Sequence, residues 1–400
     1  MSLDLSLLCP LVLVLAGALA LGTPVPLEAA GAPRGPLAEA LQPFEDEHSL
    51  AGAVVLVADK DRVLDLETVG YADVEARKPM RADSLFWIAS QTKPMTVAAV
   101  MMLVDEGKLA LDDPVEKYLP EFHDLWWVAE EDAGHRLLRR PARPITLRDV
   151  LSHMSGLAFS SLVEQPTLDA LPLRTAVLSY AQSPLQSQPG TRFSYANAGI
   201  NTAARVLEVV SGLSYEEFLQ KRLLKPLGMK DTTFRPTREQ VARLARSYAP
   251  DEKGTGLKAL TITQLTYPLE GPGRYPMPAG GLFSTAQDAA RFCRMVLNGG
   301  TLDGHRYLSA TAVEEMTRRQ TPPDQTSYGL GWSVDGDTIG HGGAYATDML
   351  IDRKRGLVLV FLVQHAGFPL RGKDAQGAFV STAQKHFGNT RSREGRGLGG

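Results

Sequence analysis

Ser90-Gln91-Thr92-Lys93, running straight into Pro94-Met95-Thr96-Val97-Ala98-Ala99-Val100-Met101-Met102-Leu103-Val104-Asp105, is the stretch on which the reading of this chain turns. From Pro94 to Asp105 the residues are apolar nearly all round, and Gly107 closes the run. That pattern predicts a helix buried on every side rather than one with a wet face. Ser90 and Lys93 stand at its start, and no other serine in the chain has a lysine three residues on. On a helix, positions i and i+3 share a face, so the Lys93 amine can approach the Ser90 hydroxyl. A serine at a helix start also has free backbone N–H groups beside it, which suit a developing oxyanion. Burial disfavours the charged form of a lysine, and a neutral amine can take the serine proton. A surface serine with a snorkelling lysine is the competing reading of the tetrapeptide alone.

Working outward, two short strands open the globular part. Ala53 to Ala58 is a β-branched apolar run, Asp59-Lys60-Asp61 reads as a turn, and Arg62 to Val69 alternates back. The far end mirrors this, with strands expected at Tyr328 to Val334, Ala346 to Asp352 and Leu357 to Gln364, then a closing helix from Asp374 to Phe387. Between the ends the signals are helical. Thr146 with Asp149 predicts a capped helix to His153, and Ile200 to Val210 has helical apolar spacing. Ser214 with Glu217 makes a capping box for a helix to Leu224. Residues 123–143 and 249–278 have weak periodicity and read as long surface loops. The expected fold class is therefore α/β of the α+β kind: an antiparallel sheet formed by both chain ends, flanked by helices, with a mostly helical insert over residues 108–278.

At 400 residues, with 42 Lys and Arg against 45 Asp and Glu, the chain has room for a large core and carries a net charge of only −3. No basic stripe interleaved with aromatics is present, so nucleic-acid binding has no electrostatic footprint. Leu7 to Gly22 is an almost continuous apolar run of about 16 residues, short for a bilayer span and suited to a signal peptide. Residues 1–22 are thus expected to be a signal peptide or, failing that, an anchor. Residues 23–37 read as a disordered linker, 38–388 as the globular domain and 389–400 as a flexible tail. Export to a periplasm or the medium follows, with membrane contact only if the segment stays uncleaved. The two cysteines, Cys9 and Cys293, would leave one in the mature chain, and Cys293 among Ala289, Ala290, Phe292 and Val296 is expected to be a small buried hydrophobe.

Two further motifs carry chemistry. Tyr195-Ala196-Asn197 follows a Gln188-Pro189-Gly190 turn, where a tyrosine near a lysine could exchange protons and the Asn197 amide could reach a substrate carbonyl. Gly340-His341-Gly342-Gly343-Ala344 lies between two expected strands, and its glycines would let a substrate backbone lie close. No serine has the G-x-S-x-G flanks of an α/β-hydrolase, and the scattered histidines offer no H-E-x-x-H, so metal and cofactor are expected to be absent. His153 reads as structural, His365 as either structural or facing the cleft, and Trp126 and Trp127 as either core or the wall of an acyl pocket.

In this order the three motifs resemble those of the serine β-lactamase and penicillin-binding-protein superfamily, particularly its class C β-lactamase-like and esterase branch. Met101 to Leu109 leading into Leu111-Asp112-Asp113-Pro114-Val115, Ile145 to Leu157, and Ala279-Gly280-Gly281-Leu282-Phe283-Ser284 extend the likeness over residues 38–388. The resemblance implies that Ser90 is the acylated nucleophile, with Lys93 and Tyr195 sharing its proton transfers. It further implies an oxyanion hole from the Ser90 and Ala344 N–H groups, and substrate contacts at Asn197, His341, Gly342 and Gly343. Where many relatives carry K-T-G, this chain has His341-Gly342-Gly343, and a histidine is largely neutral at pH 7. The substrate is then expected to be a small-molecule ester, amide or β-lactam. Carboxylester hydrolysis leads, ahead of β-lactam or D-amino-acid and DD-peptide cleavage and of a non-catalytic binding role on the same fold.

Overall fold

The computed structural model describes residues 34–388. The expected signal segment, most of the linker and the tail lie outside them. Seven strands build one antiparallel sheet: β1 Gly52–Ala58, β2 Val63–Asp73, β3 Lys78–Pro79, β4 Ser333–Asp335, β5 Thr338–Gly342, β6 Asp348–Asp352 and β7 Leu357–Leu362. Their order across the sheet is β4-β5-β6-β7-β1-β2-β3. The first and last strands of the domain therefore meet in the middle, with Val55 opposite Phe361 and Val57 opposite Leu359. This is the sheet from both chain ends that the β-branched runs predict.

The period of two decides which side each residue faces. Val54 and Leu56 of β1, with Val358, Val360 and Leu362 of β7, join the core that contains the Thr92–Asp105 and Ala286–Leu297 helices. Val55, Val57, Leu359 and Phe361 point the other way, onto Leu37, Leu41 and Phe44 of a Pro36–Asp46 helix and Phe379 of the Ala375–Phe387 helix. Each such Val, Leu or Phe contributes about 1.5–3 kcal/mol by leaving water, so the sheet's centre is anchored on both faces. The Thr92–Asp105 helix is buried continuously from Thr92 to Leu103, as its all-round apolar sequence requires.

Several local expectations need correction. The Pro36–Asp46 helix starts inside the stretch read as linker and carries Pro43 within it, which hid it from a propensity reading. Each long loop contains a hairpin, Trp127–Glu131 with Arg136–Arg139 and Ser247–Pro250 with Leu257–Leu260. Arg136–Arg139 is exposed along its whole length, so no burial pattern marks it. Only Ser333 and Val334 of the expected Tyr328–Val334 strand pair in the sheet, within β4, and the His341 motif begins inside β5 at Gly340–Gly342 before running into the turn between β5 and β6. Gly340 is needed in β5 because a Cβ there would sit 2.6 Å from the Met349 carbonyl oxygen. Cys293 is buried, as expected.

Candidate active site

Ser90 sits in a 3-10 turn, Ala89–Gln91, that feeds directly into the Thr92–Asp105 helix. The turn is held from outside: the Ile88 N–H donates to the Leu282 carbonyl, and Leu282 N–H donates to Thr92 Oγ1. Within it, the Thr92 hydroxyl donates to the Ala89 carbonyl at 2.7 Å. Ala89 has φ +44°, a left-handed conformation that L side chains rarely adopt. Packing from both sides maintains this strain one residue before the serine, as occurs where geometry matters more than local stability. The N–H groups of Gln91 and Thr92 turn back to Ile88 and Ala89, while that of Ser90 has no acceptor among the described residues.

Lys93 is fully buried. Its Nζ lies 3.0 Å from Ser90 Oγ, 2.8 Å from Asn197 Oδ1 and 2.7 Å from the Ala279 carbonyl oxygen. Asn197 begins the Asn197–Ser211 helix, and one turn later Asn201 accepts the Ala279 N–H, so both asparagines frame the amine. Burial drives the Lys93 pKa well below the ordinary lysine value, with no acidic neighbour to oppose it. Nζ also lies 4.6 Å from the centroid of the Tyr195 ring. A cation–π contact is worth about 0.5–2 kcal/mol, against several kcal/mol for desolvating an ion, so burial favours the neutral amine. It then donates its two hydrogens to Asn197 and Ala279, which are acceptor oxygens only, and presents its lone pair to the Ser90 hydroxyl.

Tyr195 is mostly buried and its hydroxyl faces Ser90; burial lifts its pKa to about 12, with the Ser90 contact pulling the other way. A phenol so placed is a proton donor at neutral pH. Across from it, the turn after β5 brings up Ala344. Gly343 N–H donates to the Thr347 carbonyl and Ala346 N–H to that of Gly343, whereas the Ala344 N–H has no acceptor among the described residues. A Cβ on Gly343 would come within 2.6 Å of the Ile88 carbonyl oxygen. Glycine is thus what lets this turn press against the segment carrying Ser90. β4 stops pairing opposite Gly340, so Gly342 lies beyond the end of β4 and is exposed.

His341 does not project as a solvated cation. It is buried, with Nδ1 2.7 Å from the Gly342 carbonyl and Nε2 3.0 Å from the Tyr328 hydroxyl. Its pKa falls to about 3 through burial. The structure therefore gathers Ser90, Lys93, Tyr195, Asn197 and His341 with the Gly342–Ala344 turn. Sequence reasoning missed Asn201 and the Ala279 carbonyl. An asparagine pair at i,i+4 on the buried side of its helix was the available signal for the first, while the second is a backbone group that only the fold reveals. His153, expected to be structural, packs its ring against Tyr195 with the ring centroids 4.5 Å apart. His365 is structural: it is buried and accepts the Ala51 N–H. Trp126 lies at the surface with the Arg140 guanidinium stacked on it. No cluster of His, Cys, Asp and Glu among the described residues could hold a metal.

A family model described as Beta-lactamase matches residues 37–382. The chain belongs to the beta-lactamase family. Among its beta-lactamase-family relatives, Protein Rv1367c of Mycobacterium tuberculosis is 34% identical over 360 residues, covering 80% of this chain and 87% of the relative. Esterase EstB of Burkholderia gladioli is 28% identical over 363 residues, again covering 80% and 87%. The solved structure of EstCE1, described as a hydrolase with promiscuous acyltransferase activity, superposes with a TM-score of 0.72 at 24% identity, covering 87% of this chain and 97% of that one. The superposition establishes the beta-lactamase fold, and the family is one of serine hydrolases that includes esterases. No helix among the described residues is long and apolar enough to cross a membrane.

Proposed function

We propose that the protein hydrolyses small carboxylic esters through an acyl-enzyme on Ser90. The observation that carries this reading is the buried Lys93 amine, 3.0 Å from Ser90 Oγ and without an acidic partner. Lys93 takes the Ser90 proton as Oγ bonds to the ester carbonyl carbon. The oxygen of that carbonyl gathers negative charge between the Ser90 and Ala344 N–H groups. Tyr195, protonated at neutral pH, gives a proton to the departing alkoxide and is restored from Lys93. Water then attacks the acyl carbon as the same pair accepts its proton, and that proton passes to Ser90 Oγ as the acyl C–O bond breaks, which releases the acid and restores the serine. Asn197 has its Oδ1 committed to Lys93, which leaves its amide N–H groups to donate to the substrate carbonyl. His341 acts by holding the Gly342 carbonyl, with the glycines leaving room for the substrate.

Preference for esters rests on the missing cation. A neutral His341 cannot pair with the carboxylate of a β-lactam or a D-alanyl peptide, and the likeness to a protein named as an esterase points the same way. The test is intact-protein mass spectrometry after a fluorophosphonate, on wild type and Ser90→Ala, with turnover of p-nitrophenyl butyrate and of a chromogenic cephalosporin compared on the wild type. One adduct on the wild type alone, with the ester turned over faster, supports the proposal. An adduct on both proteins moves the nucleophile elsewhere. No adduct on either favours a binding protein, and faster cephalosporin turnover favours a β-lactamase.

A further inference from the structure

His153 grips Tyr195 from both sides. Its backbone carbonyl accepts the Ser194 N–H at 2.9 Å, its Nδ1 accepts the Ala196 N–H at 3.2 Å, and its ring packs against the tyrosine ring. To do so it adopts φ +61°, in the left-handed region. Because Nδ1 accepts, the neutral ring must carry its hydrogen on Nε2, which lies 3.3 Å from the Tyr328 hydroxyl. That hydroxyl, receiving from His153, has its own hydrogen free for His341 Nε2 at 3.0 Å. His341 must then carry its hydrogen on Nδ1, and it donates to the Gly342 carbonyl at 2.7 Å. Every link has one possible direction, running from the backbone beside Tyr195 to the backbone two residues before Ala344.

We infer that His153, Tyr328 and His341 form a one-way hydrogen-bond chain that holds Tyr195 in register with the oxyanion-forming end of β5, and that Tyr328 is a positioning residue for acyl transfer. Its hydroxyl is bonded to the two histidines rather than to Ser90, so it acts only through its neighbours. All three members are buried, which leaves no water to replace a lost link. The tyrosine comes from the helical region and the oxyanion turn from the sheet, so the chain ties together two parts of the site that share no backbone. This inference rests on the Ser90 acyl-enzyme reading.

Tyr328→Phe removes the hydroxyl and keeps the ring that packs on His153 and Phe193. The ester kcat is expected to fall about ten- to a hundred-fold with KM within about threefold, the pattern of misplaced catalytic groups rather than lost binding. A purely structural role would multiply with other defects. A role exercised through Tyr195 predicts that, in a Tyr195→Phe background, adding Tyr328→Phe lowers kcat by less than about threefold more. A single variant with kcat within about twofold of wild type overturns the inference, and so does a double variant in which the two losses multiply. If Tyr328→Phe does not fold, His153→Asn is read by the same criteria, since asparagine tolerates a left-handed φ and can still accept the Ala196 N–H while the link to Tyr328 is cut. Fluorophosphonate labelling of the wild type separates the two readings. No adduct at Ser90 refutes the acyl-enzyme proposal itself, whereas labelled wild type beside an unimpaired Tyr328→Phe refutes the chain alone.

Discussion

Replacing Lys93 by methionine removes the buried amine while keeping an unbranched side chain of similar length, and the pH dependence of stability then reports the protonation state of the native lysine. In the unfolded chain Lys93 is protonated below about pH 10.4. In the folded protein burial drives its pKa well below that value. Between the two pKa values the unfolded state binds one more proton than the native state. Stability therefore rises with pH through this window, at about 1.4 kcal/mol per unit, and is lost as pH falls through it. With an unfolding entropy of about 2.1 cal/mol/K per residue over about 350 residues, that slope is about 2 °C in Tm for each pH unit inside the window. Lys93→Met lacks the contribution, so the wild-type curve should climb toward, or away above, the mutant curve at that rate. Leaving Asn197 Oδ1 and the Ala279 carbonyl without donors costs about 1–3 kcal/mol each, but this offset does not vary with pH and leaves the slope difference untouched. Thermal unfolding followed by circular dichroism at several pH values on both proteins is the assay. Parallel curves across the whole window would mean that native Lys93 keeps its proton, and it could not then be the base.

Tyr195→Phe should lower kcat by about 10²–10⁴, the usual worth of a positioned proton-transfer group; wild-type turnover on every ester tried would assign the role elsewhere. Gly343→Ala drives a methyl group toward the Ile88 carbonyl and should push the Ala344 N–H away from the nucleophile. A fall in kcat of about 10²–10³ with a modest change in KM is expected, the scale of one lost oxyanion donor. Asp169 and Arg274 form a buried ion pair at 2.6 Å, with Thr266 also donating to the carboxylate and Arg274 reaching the Phe234 and Leu269 carbonyls. Asp169→Ala leaves that guanidinium buried and unpaired, so urea unfolding should show a loss of about 3–5 kcal/mol.

How far the sequence could be read depended on whether burial leaves a local pattern. The Thr92–Asp105 helix was legible because no face of it is wet, and the Ser90–Lys93 pairing because a helix brings i and i+3 together. The central strands β1 and β7 were legible because runs such as Ala53 to Ala58 and Leu357 to Leu362 are apolar on both faces. The Trp127–Arg139 hairpin has no such signal, since its second strand is wholly exposed and held by backbone pairing and surface charge pairs. β5 was hidden for the opposite reason. Glycines at 340 and 342 lower its strand propensity, yet at 340 the crowding against Met349 and Leu350 makes glycine the residue that fits. His153 was read as structural from its helix, and it is held by packing. Its bearing on Tyr195 arises only when the fold brings residues more than 40 positions apart into contact.

The same burial that hides these contacts accounts for the chemistry. Lys93, His153 and His341 are three basic groups in one neighbourhood, and burial lowers all three pKa values. Each neutral form is fully matched: the amine by two acceptor oxygens and a hydroxyl, and the imidazoles by a chain whose every bond has a single direction. A proton added to either histidine would set two donors against each other, at Ala196 N–H for the first and at Tyr328 for the second. Neither histidine then offers a substrate carboxylate a cation in the ground state. The charge that develops on the carbonyl oxygen meets two unpaired N–H groups in a medium whose effective dielectric is about 20 rather than about 80, where their attraction is about fourfold stronger than in water. Stabilisation that appears only as the oxyanion forms raises kcat rather than merely tightening binding. The proposed ester substrate, being uncharged, would lose least by the missing cation and gain most from this arrangement.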